Sequence, residues 1–239
     1  MSFAYAKKKF HYIYNRIISR HRIKRRVGSW FDVDWKIKAR NADRKTWVDV
    51  YDKSWENWSK QDLAPQDISR ISDLAGPCKS LLDAGCGDGY LLDGLKHLTE
   101  FWMGIDLSKI ALRRARKRFG ANSSFTESFI EDLPFADDSF EVVVSAHTLE
   151  HVRNLDRAVS ELKRIASKKL IILVPSQEYL PYTEDYHLHF FTRREDLIKV
   201  VGIHNAKCIR YKNPPGDYMY QGDVLLLTAD LAKPDRNTN

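Results

Sequence analysis

Between Leu81 and Tyr90 the chain reads Leu-Leu-Asp-Ala-Gly-Cys-Gly-Asp-Gly-Tyr, and Leu91, Leu92, Leu95 and Leu98 follow at helical spacing. An apolar run that enters a glycine-rich turn and leaves into an amphipathic helix predicts strand, tight turn, helix. Glycines at 85 and 87 can take backbone angles that a side chain penalises, so the main chain can come close to a ligand there. The helix start adds N–H groups with no intrahelical partner. A nucleotide-like ligand is expected at this turn. The dinucleotide fingerprint Gly-x-Gly-x-x-Gly is not met, because Tyr90 stands where its third glycine belongs, and this counts against NAD or FAD.

A second apolar run, Phe101 to Ile105, ends in Asp106, 21 positions after Gly85, and Ala111, Ala115 and Phe119 continue at helical spacing. An acid at the end of a second strand can accept both hydroxyls of a ribose. Three segments then occur in order: Leu82 to Gly89, Gly104-Ile105-Asp106-Leu107-Ser108, and Glu131-Asp132-Leu133-Pro134-Phe135-Ala136-Asp137-Asp138-Ser139-Phe140 ahead of Val142-Val143-Val144. Together they resemble the successive motifs of class I S-adenosylmethionine-dependent methyltransferases, over roughly residues 78 to 230. The resemblance implies an α/β fold, a doubly wound, mostly parallel seven-stranded sheet of the Rossmann-like methyltransferase kind, with S-adenosylmethionine as cofactor. It places Asp83, Gly85, Cys86, Gly87, Asp106, Leu107, Glu131 and Asp132 at the cofactor. Asp83 would hold the turn and the cofactor's amino group, the Gly85 and Gly87 backbone would approach the methionine portion, and Asp106 would take the ribose. Family members often carry an acid for the adenine amine where this chain has Phe129. Glu131, Asp132 or backbone groups are left to make that contact.

The remaining pattern agrees with alternating strands and helices. Strands are expected at 79–84, 101–106, 123–127, 140–145, 169–174, about 205–211 and 222–229, with helices at 89–98, 108–118, 155–166 and 193–201. Such alternation implies a parallel sheet with right-handed crossovers and a ligand at the carboxyl ends of the strands. The last two strands are joined through Asn213-Pro214-Pro215-Gly216-Asp217-Tyr218 without a helix, so they should pair antiparallel at the sheet edge. Residues 1–75 read as a basic, Trp-rich helical extension and 76–239 as the S-adenosylmethionine-binding domain. Trp30, Trp35, Trp47, Trp55 and Trp58 all lie in the extension. Tyr51, Trp55 and Trp58 share a helical face, which favours docking on the domain over a platform for stacking substrate.

The net charge of +7 is a local property. Residues 1–30 hold Lys7, Lys8, Lys9, Arg16, Arg20, Arg22, Lys24, Arg25 and Arg26 and no acid, so the arm carries +9 and the remainder −2. Phe10, Tyr14, Ile17, Ile18 and His21 would line one face of a helix with cationic flanks. Three readings compete: an arm packed on its own domain, a helix at an anionic membrane surface through residues 1–26, and, less favoured, a nucleic-acid contact. No run of about 18 apolar residues occurs, and Cys78, Cys86 and Cys208 have neither metal nor disulfide spacing. A cytoplasmic location is therefore expected, peripheral at the inner membrane surface only on the second reading of the arm.

Methyl transfer from a sulfonium is chiefly a matter of in-line alignment, and a base helps only when the acceptor must lose a proton. Ser145-Ala146-His147-Thr148-Leu149-Glu150-His151-Val152 follows the fourth strand, which makes His147 the candidate catalytic residue. The competing account makes Leu149 to Val152 a helix start packed beneath the site. No metal is expected. The weaker alternative takes His147, Glu150, His151 and His187 as ligands, since their spacing resembles the metal-binding Glu-x-x-Glu-His segment of some quinone-biosynthetic and small-RNA methyltransferases. Residues 175–192, with Tyr179, Tyr182, Tyr186, Phe190 and Phe191, are expected to form the acceptor wall or a packed lid, and Thr192 to cap the next helix. The activity expected is S-adenosylmethionine-dependent methyl transfer to a small-molecule, lipid-linked or glycan acceptor. The rivals are an RNA methyltransferase and a non-catalytic binding protein of the same fold.

Overall fold

The computed structural model describes residues 39–57, 63–121, 123–179, 187–217 and 220–231. The basic arm 1–26, Trp30, Trp35, Trp58, Tyr182 and Tyr186 lie outside the described residues. The elements are α1 (Arg44–Asn57), α2 (Pro65–Ala75), β1 (Ser80–Ala84), α3 (Tyr90–Leu95), β2 (Phe101–Asp106), α4 (Lys109–Phe119), β3 (Phe125–Glu127), β4 (Phe140–Ala146), α5 (Leu155–Ile165), β5 (Ala166–Pro175), α6 (Arg194–Val201), β6 (Lys207–Lys212) and β7 (Asp223–Asp230).

Seven strands form one sheet in the order β3-β2-β1-β4-β5-β7-β6. Strands β1 to β5 run parallel, while β7 runs antiparallel between β5 and β6. The antiparallel pair follows from the short link at 213–222, which has no room for a crossover helix. The order reverses between β1 and β4, and a ligand crevice belongs at that switch point.

Alternation along the strands builds two apolar layers. Leu82, Val143, Leu170 and Ile172 face α5 and α6, whereas Leu81, Val142, Val144, Ile171 and Leu173 face α2, α3 and α4. Both faces are covered, so the central strands read as continuous apolar runs. The extension is docked on this body. A third cluster joins Trp47, Val50 and Tyr51 of α1 to Leu188, with Leu107 and Phe129 against it. Asp67 of α2 is buried and accepts hydrogen bonds from Tyr211 Oη at 2.6 Å and Asn213 Nδ2 at 2.8 Å. Tyr51 and Trp55 are both buried, as a docking face requires.

Two local expectations are corrected. The N-cap of α6 is Arg193, not Thr192: its backbone N–H donates to Asp196 Oδ2 at 3.0 Å and its guanidinium to Asp196 Oδ1 at 2.9 Å. Thr192 Oγ1 donates to the Gln177 carbonyl instead. Residues 149–151 form a turn, not a helix start. The chain leaves β4 through His147 at φ 50°, a left-handed backbone that cannot continue into a right-handed helix.

Candidate functional site

The turn after β1 has the conformation its glycines permit: φ is 86° at Gly85, 53° at Gly87 and 79° at Gly89. At Gly85 an added Cβ would stand 2.2 Å from Thr148 Oγ1. The glycine is therefore required as much by the β4 loop packed against it as by its own backbone angle. The N–H groups of Gly85 and Cys86 both donate to the Ile105 carbonyl at 2.8 Å, tying the turn to β2. Gly89 caps α3, which directs the N-terminus of that helix at the turn.

Asp83, Gly85, Cys86, Gly87, Asp88, Tyr90, Leu91, Ala146 and His147 line one cleft at the ends of β1 and β4, and Trp55 and Leu63 of the extension close it from above. Asp83 is buried, and its Oδ2 has no hydrogen-bond partner among the described residues. Burial, with the Asp106 charge nearby, pushes its carboxyl up to about 8. Asp106 stands beside it at the end of β2. Its Oδ2 accepts from Gly87 N at 2.9 Å and its Oδ1 from Ser108 N at 2.8 Å. Burial raises Asp106 to about 6, held back by those backbone donors and raised further by Asp52. Burial also lifts the Cys86 thiol well above its ordinary value, so Cys86 is a small neutral filler in the turn. Two desolvated carboxyls, one with a bare oxygen in a cleft, suit a cationic, hydroxyl-bearing ligand.

The other candidate cofactor residues lie apart from the cleft lining. Leu107 packs under α1. Glu131 accepts from Arg153 N at 2.9 Å and so anchors the loop that follows β4. Asp132 pairs with Arg44 of α1 and, at 3.6 Å, with Arg157. The Leu133–Phe135 segment is clamped by Arg164, which donates to both of those residues' carbonyls and to Glu161. Phe129 receives the guanidinium groups of Arg44 and Arg153 over its ring.

His147 reaches the cleft with its ring 5.6 Å from that of Tyr220. Its Nε2 is buried without a partner among the described residues, and its Nδ1 lies 3.5 Å from Glu150 Oε1. Behind it, Glu150 is surrounded by imidazoles. Burial pushes the Glu150 carboxyl up, but the approach of His147 and the charges of His151 and His187 outweigh it and hold the group down at about 2. Along the expected acceptor wall, Tyr179 is exposed and meets Phe190 edge-on at 5.3 Å. Phe191 is buried in the core and belongs to packing instead. Asp52, Thr148 and Tyr220 escaped sequence reasoning. Asp52 Oδ1 accepts from Ser108 Oγ at 2.6 Å and from Ile110 N at 3.2 Å, a second acid at the start of α4 that only the docking of α1 brings there. Thr148 sits beside His147 in the quoted segment, yet its role shows only in the missing Cβ of Gly85. Tyr220 lies about seventy residues from His147 in sequence and carries no motif.

Comparison with known proteins agrees with this geometry. Residues 82–173 match a family model described as a methyltransferase domain. The chain is similar to the uncharacterized methyltransferase YodH of Bacillus subtilis, with 36% identity over 93 residues, 37% of this chain and 39% of that one. It is 28% identical over 134 residues to the ubiquinone biosynthesis O-methyltransferase of Hahella chejuensis, covering 52% of this chain and 56% of that protein. The crystal structure of the N-methyltransferase NodS from Bradyrhizobium japonicum shares the fold at a TM-score of 0.55 and 18% identity, over 70% of this chain and 94% of that one. The chain spans about half the length of the curated relatives it matches.

Proposed function

We propose that this chain, whose residues 82–173 match a methyltransferase-domain model, is a class I S-adenosylmethionine-dependent methyltransferase that transfers a methyl group to a small-molecule or lipid-linked acceptor. The observation that carries the reading is the pair Asp83, buried, and Asp106, half-buried, at the ends of adjacent strands on either side of the glycine turn. S-adenosylmethionine, when bound, supplies a methyl group already activated by the positive charge on its sulfur. In this chain Asp83, with its bare buried oxygen, holds the ammonium of the cofactor's amino-acid end. Asp106 accepts ribose hydroxyls through the lone pairs that Gly87 and Ser108 leave open. Trp55 and Leu63 exclude water from above. His147, whose Nε2 makes no hydrogen bond among the described residues, positions the acceptor and takes its proton, and Glu150 orients the ring from behind.

An oxygen acceptor is favoured. The chain's relatives include an O-methyltransferase of ubiquinone biosynthesis and a malonyl-[acyl-carrier protein] O-methyltransferase from Halorhodospira halophila, and a hydroxyl is an acceptor for which an imidazole is a suitable base. The +9 arm supports a lipid-linked acceptor at an anionic surface. Calorimetric titration with S-adenosylmethionine tests the cofactor site: wild type should bind, and Asp106→Ala should bind at least tenfold more weakly. Failure of the wild-type protein to bind would remove the reading. With label from radioactive methyl donor followed into extracted lipid, small molecules, RNA and protein, the labelled fraction identifies the acceptor. Once it is known, His147→Ala should lower kcat with little change in cofactor affinity.

A further inference from the structure

Glu150 presents a problem that the cofactor reading leaves unsolved. Its side chain is nearly inaccessible, and neither Oε1 nor Oε2 makes a hydrogen bond of ordinary geometry among the described residues, since His147 Nδ1 and His151 Nε2 stand off from Oε1 at 3.5 and 3.9 Å. A buried carboxylate with both oxygens unsatisfied is among the costlier features a fold can carry. Yet the backbone around it is pinned, because Leu188 N and His189 N donate to the Glu150 carbonyl at 2.7 and 3.0 Å. Those bonds bring the 187–189 segment onto the Glu150 turn. As a result, ligand atoms of Glu150, His151 and His187 lie within 4.8 Å of one another.

We propose that Glu150, His151 and His187 form a binding site for one divalent cation of the zinc class, beside His147 and behind the cofactor cleft. A cation there would satisfy a carboxylate whose oxygens make no hydrogen bond of ordinary geometry among the described residues. Two imidazoles and one carboxylate select zinc, cobalt, nickel or iron(II) over magnesium or calcium, which take oxygen ligands. At metal–ligand lengths near 2.1 Å and tetrahedral angles, ligand atoms stand roughly 3.4 Å apart, so side-chain rotations are needed to close the present spacing around an ion. The neighbouring groups support the ligand assignment. His187 Nδ1 faces Gln177 Oε1 at 2.7 Å, which directs its N–H to the amide and turns the Nε2 lone pair away from it, the usual orienting contact of a metal-bound imidazole. His189 is different: its Nε2 meets the Val152 carbonyl at 2.8 Å, which takes it out of the ligand set. Three protein ligands leave at least one position open for water or an acceptor oxygen.

The site is tested on the full chain without an affinity tag, stripped with chelator and titrated with cobalt(II), whose visible absorption reports its coordination. The experiment needs neither methyl donor nor acceptor, so its outcome is separate from that of the cofactor reading. A visible band saturating at one cobalt per chain is expected, abolished by zinc and unaffected by magnesium. Glu150→Gln and His187→Asn should each weaken cobalt binding tenfold or more, and Gln177→Ala less strongly. Circular dichroism confirms that each variant is folded, and His187→Asn stands in if Glu150→Gln is not. Absence of a stoichiometric band in the wild type, or an undiminished band in a folded Glu150 or His187 variant, would overturn the proposal.

Discussion

Replacing Asp83 by Asn should make the cofactor-free protein more stable and the cofactor site weaker. Asp83 is buried with one oxygen bare, and burial beside Asp106 lifts its carboxyl from 3.8 to about 8. At 1.36 kcal/mol per pH unit, forcing this ionisation costs about 6 kcal/mol at alkaline pH relative to the unfolded chain. An amide in the same place still lacks a partner, at a cost of about 1–3 kcal/mol, so the net gain at alkaline pH is about 3 kcal/mol. The pH dependence isolates the effect. A raised carboxyl contributes stability that is complete below its unfolded value and is lost as pH rises to the folded one. Between pH 5 and pH 8 the difference between variant and wild type should therefore widen by about 4 kcal/mol in the variant's favour, and level off above. Urea denaturation of both proteins across that range measures it, and subtracting one from the other cancels the titrating groups that do not interact with Asp83. In parallel, the affinity for S-adenosylmethionine should fall at least tenfold, because the ammonium loses its counter-charge. A stability difference that does not change with pH, or a variant as tight for the cofactor as wild type, would refute the reasoning.

Gly85→Ala should destabilise the fold by about 3 kcal/mol or more, since the new Cβ combines a left-handed backbone with overlap on Thr148; thermal denaturation measures the loss, and adding Thr148→Ala should recover part of it. An alanine variant as stable as wild type would contradict the packing described at the turn. Deleting residues 1–26 should leave a folded protein that binds S-adenosylmethionine but no longer sediments with anionic vesicles, because each cation near such a surface is worth about 1 kcal/mol. Offering vesicles and structured RNA together at equal phosphate decides between the two polyanions, and binding to neither would return the arm to a role in the fold.

The cofactor half of this protein is legible in sequence because its determinants are local. The turn needs glycines at fixed offsets from a strand, Asp106 needs only to end the next strand, and the strands themselves announce their burial as apolar runs. The antiparallel β6–β7 pair could be read from the length of its link. Residues 147–152 could not be read that way. One account made Leu149 to Val152 a helix start, but the left-handed angle at His147 and the packing of Thr148 against Gly85 are set by contact between loops sixty residues apart, and no periodicity records them. The same holds for the acids around the cofactor. Glu131 and Asp132 look equivalent to Asp83 in the chain, yet one anchors a loop backbone and the other reaches α1. What the amino-acid order determined by itself was the strand, the turn and the identity of the ligand's handle. Only the tertiary structure decided which carboxylates keep unmet hydrogen bonds among the described residues, because burial and hydrogen bonding are properties of the whole packed chain: Asp83 at the cleft and Glu150 among its imidazoles.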